Sequence, residues 1–262
     1  MELTFWGVRG GMPAPGAATR RFGGNSPCIE LRVGSHLVIF DAGTGLRDLG
    51  RDLMARSPIK GDLLFSHTNF NRICGLPFFA AAFHPGNAFG FWCGHRPEEG
   101  SIKEVLTRLM TDPVFPVPID IFNAALAFHD FTAGRRFELC DGIAVDSLAV
   151  SCGLAGTAYR VSFEDRSLCH ACAVRLPKDP SDLLGLVRGC DTLVMSLIEE
   201  DVPDADRVLA EFAREAGVGR LIVTDHAPDA DDDSLERRER AMTTIFAPTV
   251  LAREGQRFSL SG

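Results

Sequence analysis

A few short strings in this chain carry residue types able to do chemistry. Cys169, His170 and Cys172 stand together as CHAC, a thiolate and imidazole set of the kind that ligates zinc or exchanges electrons. The run around them reads as a strand, however, and alternation sends Cys169 and Ala171 to one face and His170 and Cys172 to the other. Side chains divided between two faces do not converge on one ion, so the string reads as a packed strand. Asp229, Asp231, Asp232 and Asp233 suggest a calcium loop but lack its glycine and distant glutamate. They stand just ahead of an expected helix, where carboxylates complement the positive end of the dipole. Gly23, Gly24 and Asn25 suggest a phosphate cradle, yet no helix pattern follows to present free N–H groups, which leaves a turn. His67 differs from all of these. It closes an apolar strand and opens a polar segment that ends near Gly75 and Leu76, and loops at strand ends are where folds place reacting groups.

The elements that must position these residues follow from periodicity. Residues 1–65 read as strands at 2–5, 28–32, 36–40 and 61–66, joined by glycine-rich turns. Ile102, Val105, Leu106 and Leu109 recur at helical spacing over 101–110, and Ser101 with Glu104 forms a capping-box pattern. Three prolines within 112–118 stop that helix. Strands are expected at 143–150, 158–163, 168–174, 192–195, 220–224, 249–251 and 257–260, and helices at 181–188, 205–216 and 235–246. With no internal repeat and no low-complexity linker, residues 1–262 read as one domain with two sheets and outer helices.

Composition narrows the function. A net charge of −8, from 27 basic and 35 acidic residues, argues against a surface for long nucleic acid. No apolar run approaches the roughly 18 residues of a membrane span. Residues 1–11 show no secretory pattern, so the expected location is the cytoplasm, with all eight cysteines reduced.

Longer strings carry a resemblance. FWGVRGGMPAPGAATRRFGGNSPCIEL, FDAGTGLRDLG and LLFSHTNFNRICGLPFF, followed in order by FHPGNAFGFWCG, VLTRLMTDPVFPVP, AYRVSFEDRSL, GVGRLIVTDHAPDADDD and VLAREG, cover nearly the whole chain. Together they resemble the metallo-β-lactamase-fold hydrolases, nearest the bacterial branch related to phosphodiesterases and tRNA-processing nucleases. The resemblance implies an α/β (α+β) chain folded as an αββα four-layer sandwich, with a metal site at one edge.

The same resemblance exposes departures. Active members carry His-x-His-x-Asp-His after the strand that here ends in Ser66; this chain has His67, Asn69, Asn71 and Arg72. Asn is a weak neutral donor, and a permanently cationic Arg is hostile to a divalent ion. Counting from neighbouring matches puts the next ligand position at Cys152, the bridging aspartate at Ala173, and the last histidine at Asp225, with His226 beside it. Asp41 corresponds to a structural aspartate that orients the His67 loop. After 194–197 the chain runs through 198–203 directly into a helix, without the longer loop and histidine that serve active relatives as a general acid.

These positions imply that Arg72 replaces a cation and pairs with Asp225. The leading expectation is therefore a catalytically inactive or strongly impaired member without a cofactor, retained for ligand or protein binding. The alternative is an atypical single-metal hydrolase of phosphodiesterase or esterase type, holding one zinc or iron ion with His67, Cys152 and either Asp225 or His226. Possible partners are a small anionic ligand drawn by Arg72, a second copy, or an active relative in a heterodimer. Phe70, Phe78 and Phe79 either wall the cleft or belong to the core.

Overall fold

Alternation along each strand decides which of three layers a side chain enters. In the computed structural model, which describes residues 1–95, 100–140, 142–198 and 204–260, strands β1 (Glu2–Gly7), β2 (Cys28–Val33), β3 (His36–Phe40), β4 (Lys60–Phe65), β5 (Ala88–Cys93) and β6 (Ala125–Asp130) lie side by side. A final strand, β14 (Arg257–Ser259), joins the far edge next to β1, making a seven-stranded sheet. β1, β2 and β3 pair antiparallel, whereas β3, β4, β5 and β6 run parallel. The second sheet, also of seven strands, has the order β13 (Thr249–Leu251), β12 (Leu221–Val223), β11 (Thr192–Leu197), β10 (Arg166–Val174), β9 (Ala155–Phe163), β8 (Ala144–Ser151) and β7 (Arg136–Glu138).

In β4, Leu63 and Phe65 pack outward with helices α1 (Gly45–Met54) and α3 (Ile102–Leu109), while Leu64 packs inward against the second sheet with Phe40, Tyr159, Val161 and Ile222. Helices α4 (Ser181–Val187), α5 (Ala205–Glu215) and α6 (Asp232–Ile245) cover the other outer face through Leu183, Leu209 and Leu235. The result is an αββα sandwich. Tyr159, the one tyrosine of the chain, is fully buried between the sheets and donates its hydroxyl to the Phe65 carbonyl at 2.8 Å.

Local chemistry explains several elements. Ser101 and Glu104 close the capping box of α3 on each other's backbone N–H groups. Asp231 caps α6 by accepting from the Ser234 N–H at 2.7 Å, so the acidic string starts a helix. The CHAC strand divides as alternation requires: Cys169 and Ala171 enter the outer core, and Cys172 the inner one. Phe79 is fully buried core, whereas Phe70 and Phe78 are exposed.

The first third of the chain is less strand-rich than its sequence implies, because α1 follows β3. Leu46, Leu49 and Leu53 give it an apolar stripe, masked in the sequence by Gly45 and Gly50. Gly50 is needed there: a Cβ would stand 2.9 Å from the Ala80 nitrogen and from the Phe79 ring. β5, β6 and β7 also lie in sequence not read as strand, and β5 and β6 extend the parallel run to the sheet edge. Among the described residues no helix is long and apolar enough to cross a membrane.

Candidate functional site

The carboxyl ends of strands from both sheets meet at one edge of the sandwich. Asp41 follows β3, Ser66 and His67 follow β4, and a short helix, α2 (Phe70–Ile73), carries Asn71 and Arg72 back toward Asp41. From the second sheet come Cys152 after β8, Ala173 near the end of β10, Ser196 near the end of β11, and Asp225 beyond β12.

Arg72 is the centre of this arrangement. Its side chain is 1 % exposed; Nη1 donates to Asp41 Oδ2 at 2.8 Å and Nη2 to Asp225 Oδ2 at 2.6 Å. Asp41 also accepts from the Ser66 N–H and hydroxyl, each at 2.8 Å at its shortest. On the other side Asp225 Oδ2 accepts from Ser196 Oγ at 2.6 Å, and Ser196 Oγ in turn accepts from the Ala173 N–H at 2.7 Å. A single polar chain therefore runs from Ser66 through Asp41, Arg72, Asp225 and Ser196 to Ala173, joining one sheet to the other. Burial alone would lower the Arg72 pKa, but Asp225 and Asp41 outweigh it and hold the guanidinium firmly charged. Burial pushes Asp225 up, yet Arg72 and the Ser196 hydroxyl reverse that and keep it ionised; at Asp41 burial prevails and its pKa is raised despite Arg72 and Ser66.

The remaining groups are buried around this chain. His67 is 3 % exposed with Nδ1 unpartnered, and burial together with the Arg72 charge brings it down to about 3. Burial pushes the Cys152 thiol up to about 12, and its Sγ lies 3.7 Å from the Cys172 carbonyl oxygen. Asn71 is buried, and Asn69 precedes α2 without a side-chain cap bond. His226 is turned away: Nε2 meets the Ala252 carbonyl at 2.8 Å and its ring stands edge-on to Phe22.

Arg9 and the linking role of Ser196 did not stand out in the sequence, and His170 was read there only as part of a packed strand. Arg9 is fully buried and donates to the carbonyls of Gly23, Ala227 and Ala230, so it braces two loops against each other. Its signal was an arginine directly after an apolar strand. His170 lies stacked on Phe40 at 4.6 Å, 4.0 Å from Asp41 Oδ2, with neither ring nitrogen hydrogen-bonded. Residues 199–203, part of the shortened connection, lie outside those described.

Two stability predictions arise here. Asp41, Ala173 and Asp225 all have left-handed backbone, with φ of 62°, 54° and 59°. Alanine is disfavoured there, so Ala173→Gly should stabilise by about 1 kcal/mol and raise Tm by roughly 2–4 °C in a thermal melt. The second concerns acid. Burial depresses His170 to about 3 and His226 to about 4, alongside His67, against about 6.5 in an unfolded chain. The unfolded state takes up these protons first, so this stability is complete above about pH 6.5 and drains away toward pH 3–4. Asp225, held low, adds to the loss only at the acid end, and Asp41, held high, opposes it. The urea midpoint should fall between about pH 6.5 and 4.5, with uptake of more than one proton on unfolding.

No family model matches the chain. It is 26% identical to ribonuclease BN of Escherichia coli over 189 residues, 68% of this chain and 54% of that protein, so it spans about half the length of the curated relatives it matches. Its structure superposes on that of the metallo-β-lactamase fold protein YhfI from Bacillus subtilis with a TM-score of 0.69 at 16% identity, covering 98% of this chain and 99% of the other. The chain has the metallo-β-lactamase fold. A diphosphatase from the PhnP family gives a TM-score of 0.70 at 16% identity, covering 98% and 97% of the two chains.

The metal centre implied by that fold is not matched by the donors present. Among the described residues no group of three or more His, Cys, Asp or Glu is placed to hold a metal ion. The positions that the resemblance assigns to ligands carry one depressed imidazole, two neutral amides, a cation, a thiol held protonated, an alanine, and a carboxylate already bonded to the cation. A dinuclear site needs deprotonated or neutral donors converging on open space. Here a guanidinium fills the space between the carboxylates.

Proposed function

We propose that this protein is a non-hydrolysing member of the metallo-β-lactamase fold in which Arg72 stands where a metal ion would, and that it acts by binding a protein partner. The observation that carries the first half is the fully buried Arg72 guanidinium bonded to both Asp41 and Asp225. A delocalised cation with two forked donors neutralises the carboxylates and joins the sheets, but it cannot coordinate a water and ionise it to hydroxide as a bound metal ion does.

Binding is supported by the rim. Met12, Phe70 and Leu154 are 61%, 69% and 64% exposed, and they lie in the segments that follow β1, β4 and β8, the last two of which also carry His67, Arg72 and Cys152. Exposed large apolar side chains at one edge of a fold suit protein contacts. A small anion is less well served, because the charge of Arg72 is already held between two carboxylates.

The atypical single-metal hydrolase remains the second reading, favoured by two unpartnered buried atoms, His67 Nδ1 and Asp225 Oδ1. Hydrolysis of bis(p-nitrophenyl) phosphate with added zinc or manganese separates the two. The proposal expects no metal-dependent rate; a metal-dependent rate that His67→Ala abolishes would overturn it in favour of the second reading.

A further inference from the structure

At the opposite end of the first sheet, where β3 to β6 begin, a cavity of about 700 Å³ opens over the inner face. Register places Lys60, Ala88 and Ala125 in one row across β4, β5 and β6, and Asp62, Gly90 and Ala127 in the next. Leu64, Trp92 and His129 form the row beyond, with the Trp92 and His129 rings stacked at 4.0 Å. Ala88, Ala125 and Ala127 thus make a low floor ended by an aromatic wall, while Gly90 lies beneath the Asp62 carboxylate and the Trp92 indole. Leu139 and Cys140 close it from the other sheet.

The side wall is polar and built. Asp62 accepts from Trp92 Nε1 at 2.6 Å and faces His36 Nε2 at 2.7 Å. Gly90 is required for this, since a Cβ there would collide with Asp62 Oδ1. The carboxylate can only accept, so His36 donates to it through Nε2. A second pocket of about 200 Å³ shares Ser35, His36, Pro58 and Lys60 with the first and adds Arg32 and Arg56. Both arginines bond Glu30, and Arg56 also bonds Asp52, so with Lys60 and Asp62 three cations and three carboxylates border the joined pockets. Lys60, at the junction of the two pockets, makes no ion pair among the described residues.

We propose that these joined pockets bind a flat heteroaromatic ring bearing a phosphate monoester, the chemistry of a nucleoside monophosphate. The ring lies over Ala88, Ala125 and Ala127 against His129, where the small side chains allow close approach to the sheet, with the Asp62 carboxylate over Gly90 at its edge. The phosphate meets Lys60, the cation of the site that is not already bonded to a carboxylate among the described residues, beside the Arg32–Arg56 pocket. The combined volume suits a ligand of that size. Nothing in this site touches Arg72, so its failure would leave the reading of the other edge standing.

Titration calorimetry with adenosine monophosphate, together with imidazole resonances of His36 and His129, tests the proposal. Expected is saturable binding that shifts both imidazoles, with adenosine and inorganic phosphate each at least about tenfold weaker. Ala127→Trp and Lys60→Glu, both at exposed positions, should each weaken binding by about tenfold or more. Absence of saturable binding, affinity unchanged by both substitutions, or equal affinity for adenosine would overturn it.

Discussion

Replacing Arg72 with methionine should destabilise the protein by about 3–5 kcal/mol, the range for removing one partner of a buried ionic group. Methionine keeps the unbranched stem about as far as Nε but leaves Asp41 and Asp225 facing each other, 0% and 6% exposed, without a counter-charge. One of them must then take up a proton, or the two sheets must part at this edge. The triple variant Asp41→Asn, Arg72→Met, Asp225→Asn tests the cause. With both charges removed, most of the loss should be recovered, because a buried triad exchanged for neutral groups of similar volume is often close to neutral in energy. Urea unfolding of the two variants reads both numbers. A single-variant loss below about 1 kcal/mol would be the behaviour of a solvated surface pair, and would contradict the buried geometry.

Restoring the ligand set should have the opposite sign and an effect as large. Asn69→His, Asn71→Asp, Arg72→His, Cys152→His, Ala173→Asp and Asp225→His together reinstate the pattern that the resemblance assigns to active members. The backbone frame favours it. Asp41, Ala173 and Asp225 already hold left-handed conformations, and aspartate and histidine tolerate that region better than alanine does. The combined variant is expected to bind a pair of zinc ions and to gain thermal stability with zinc, since binding to the native state alone stabilises it. The unaltered protein should gain none. A folded variant whose Tm is indifferent to zinc would show that the loops no longer hold the required geometry.

How far the site could be read from sequence depended on where each partner lies. The loop after β4 was legible because an apolar strand delivers His67 to a polar segment, and the Arg72 to Asp225 contact follows from two positions that a family pattern brings together. The second carboxylate on Arg72 was not legible. Asp41 looked like a support for the His67 loop, and only the return of α2 toward β3 places the guanidinium against it. Ser196 sits 29 residues from Asp225 on a neighbouring strand, so its bond depends on parallel register that no local pattern encodes. Nothing about an alanine reveals that its backbone is left-handed, as at Ala173.

Among the elements, α3 and α6 carried explicit start signals in Ser101, Glu104 and Asp231, and the CHAC strand gave its faces by alternation. α1 was hidden by Gly45 and Gly50, which serve close packing but read locally as turn residues. β5 was hidden for a related reason. Its Gly90 makes room for the Asp62 carboxylate, and the small residues of β6 face a cavity instead of the second sheet, so neither shows the β-branched character of a strand.

The central claim, that a guanidinium stands in place of the metal, is tested most directly by elemental analysis of the unaltered protein after incubation with excess zinc and desalting. Zinc should stand far below one ion per chain, with no change when His67 is replaced by alanine. Retention of a stoichiometric ion that His67→Ala releases would contradict the claim, because Arg72 and that ion cannot share the space between Asp41 and Asp225.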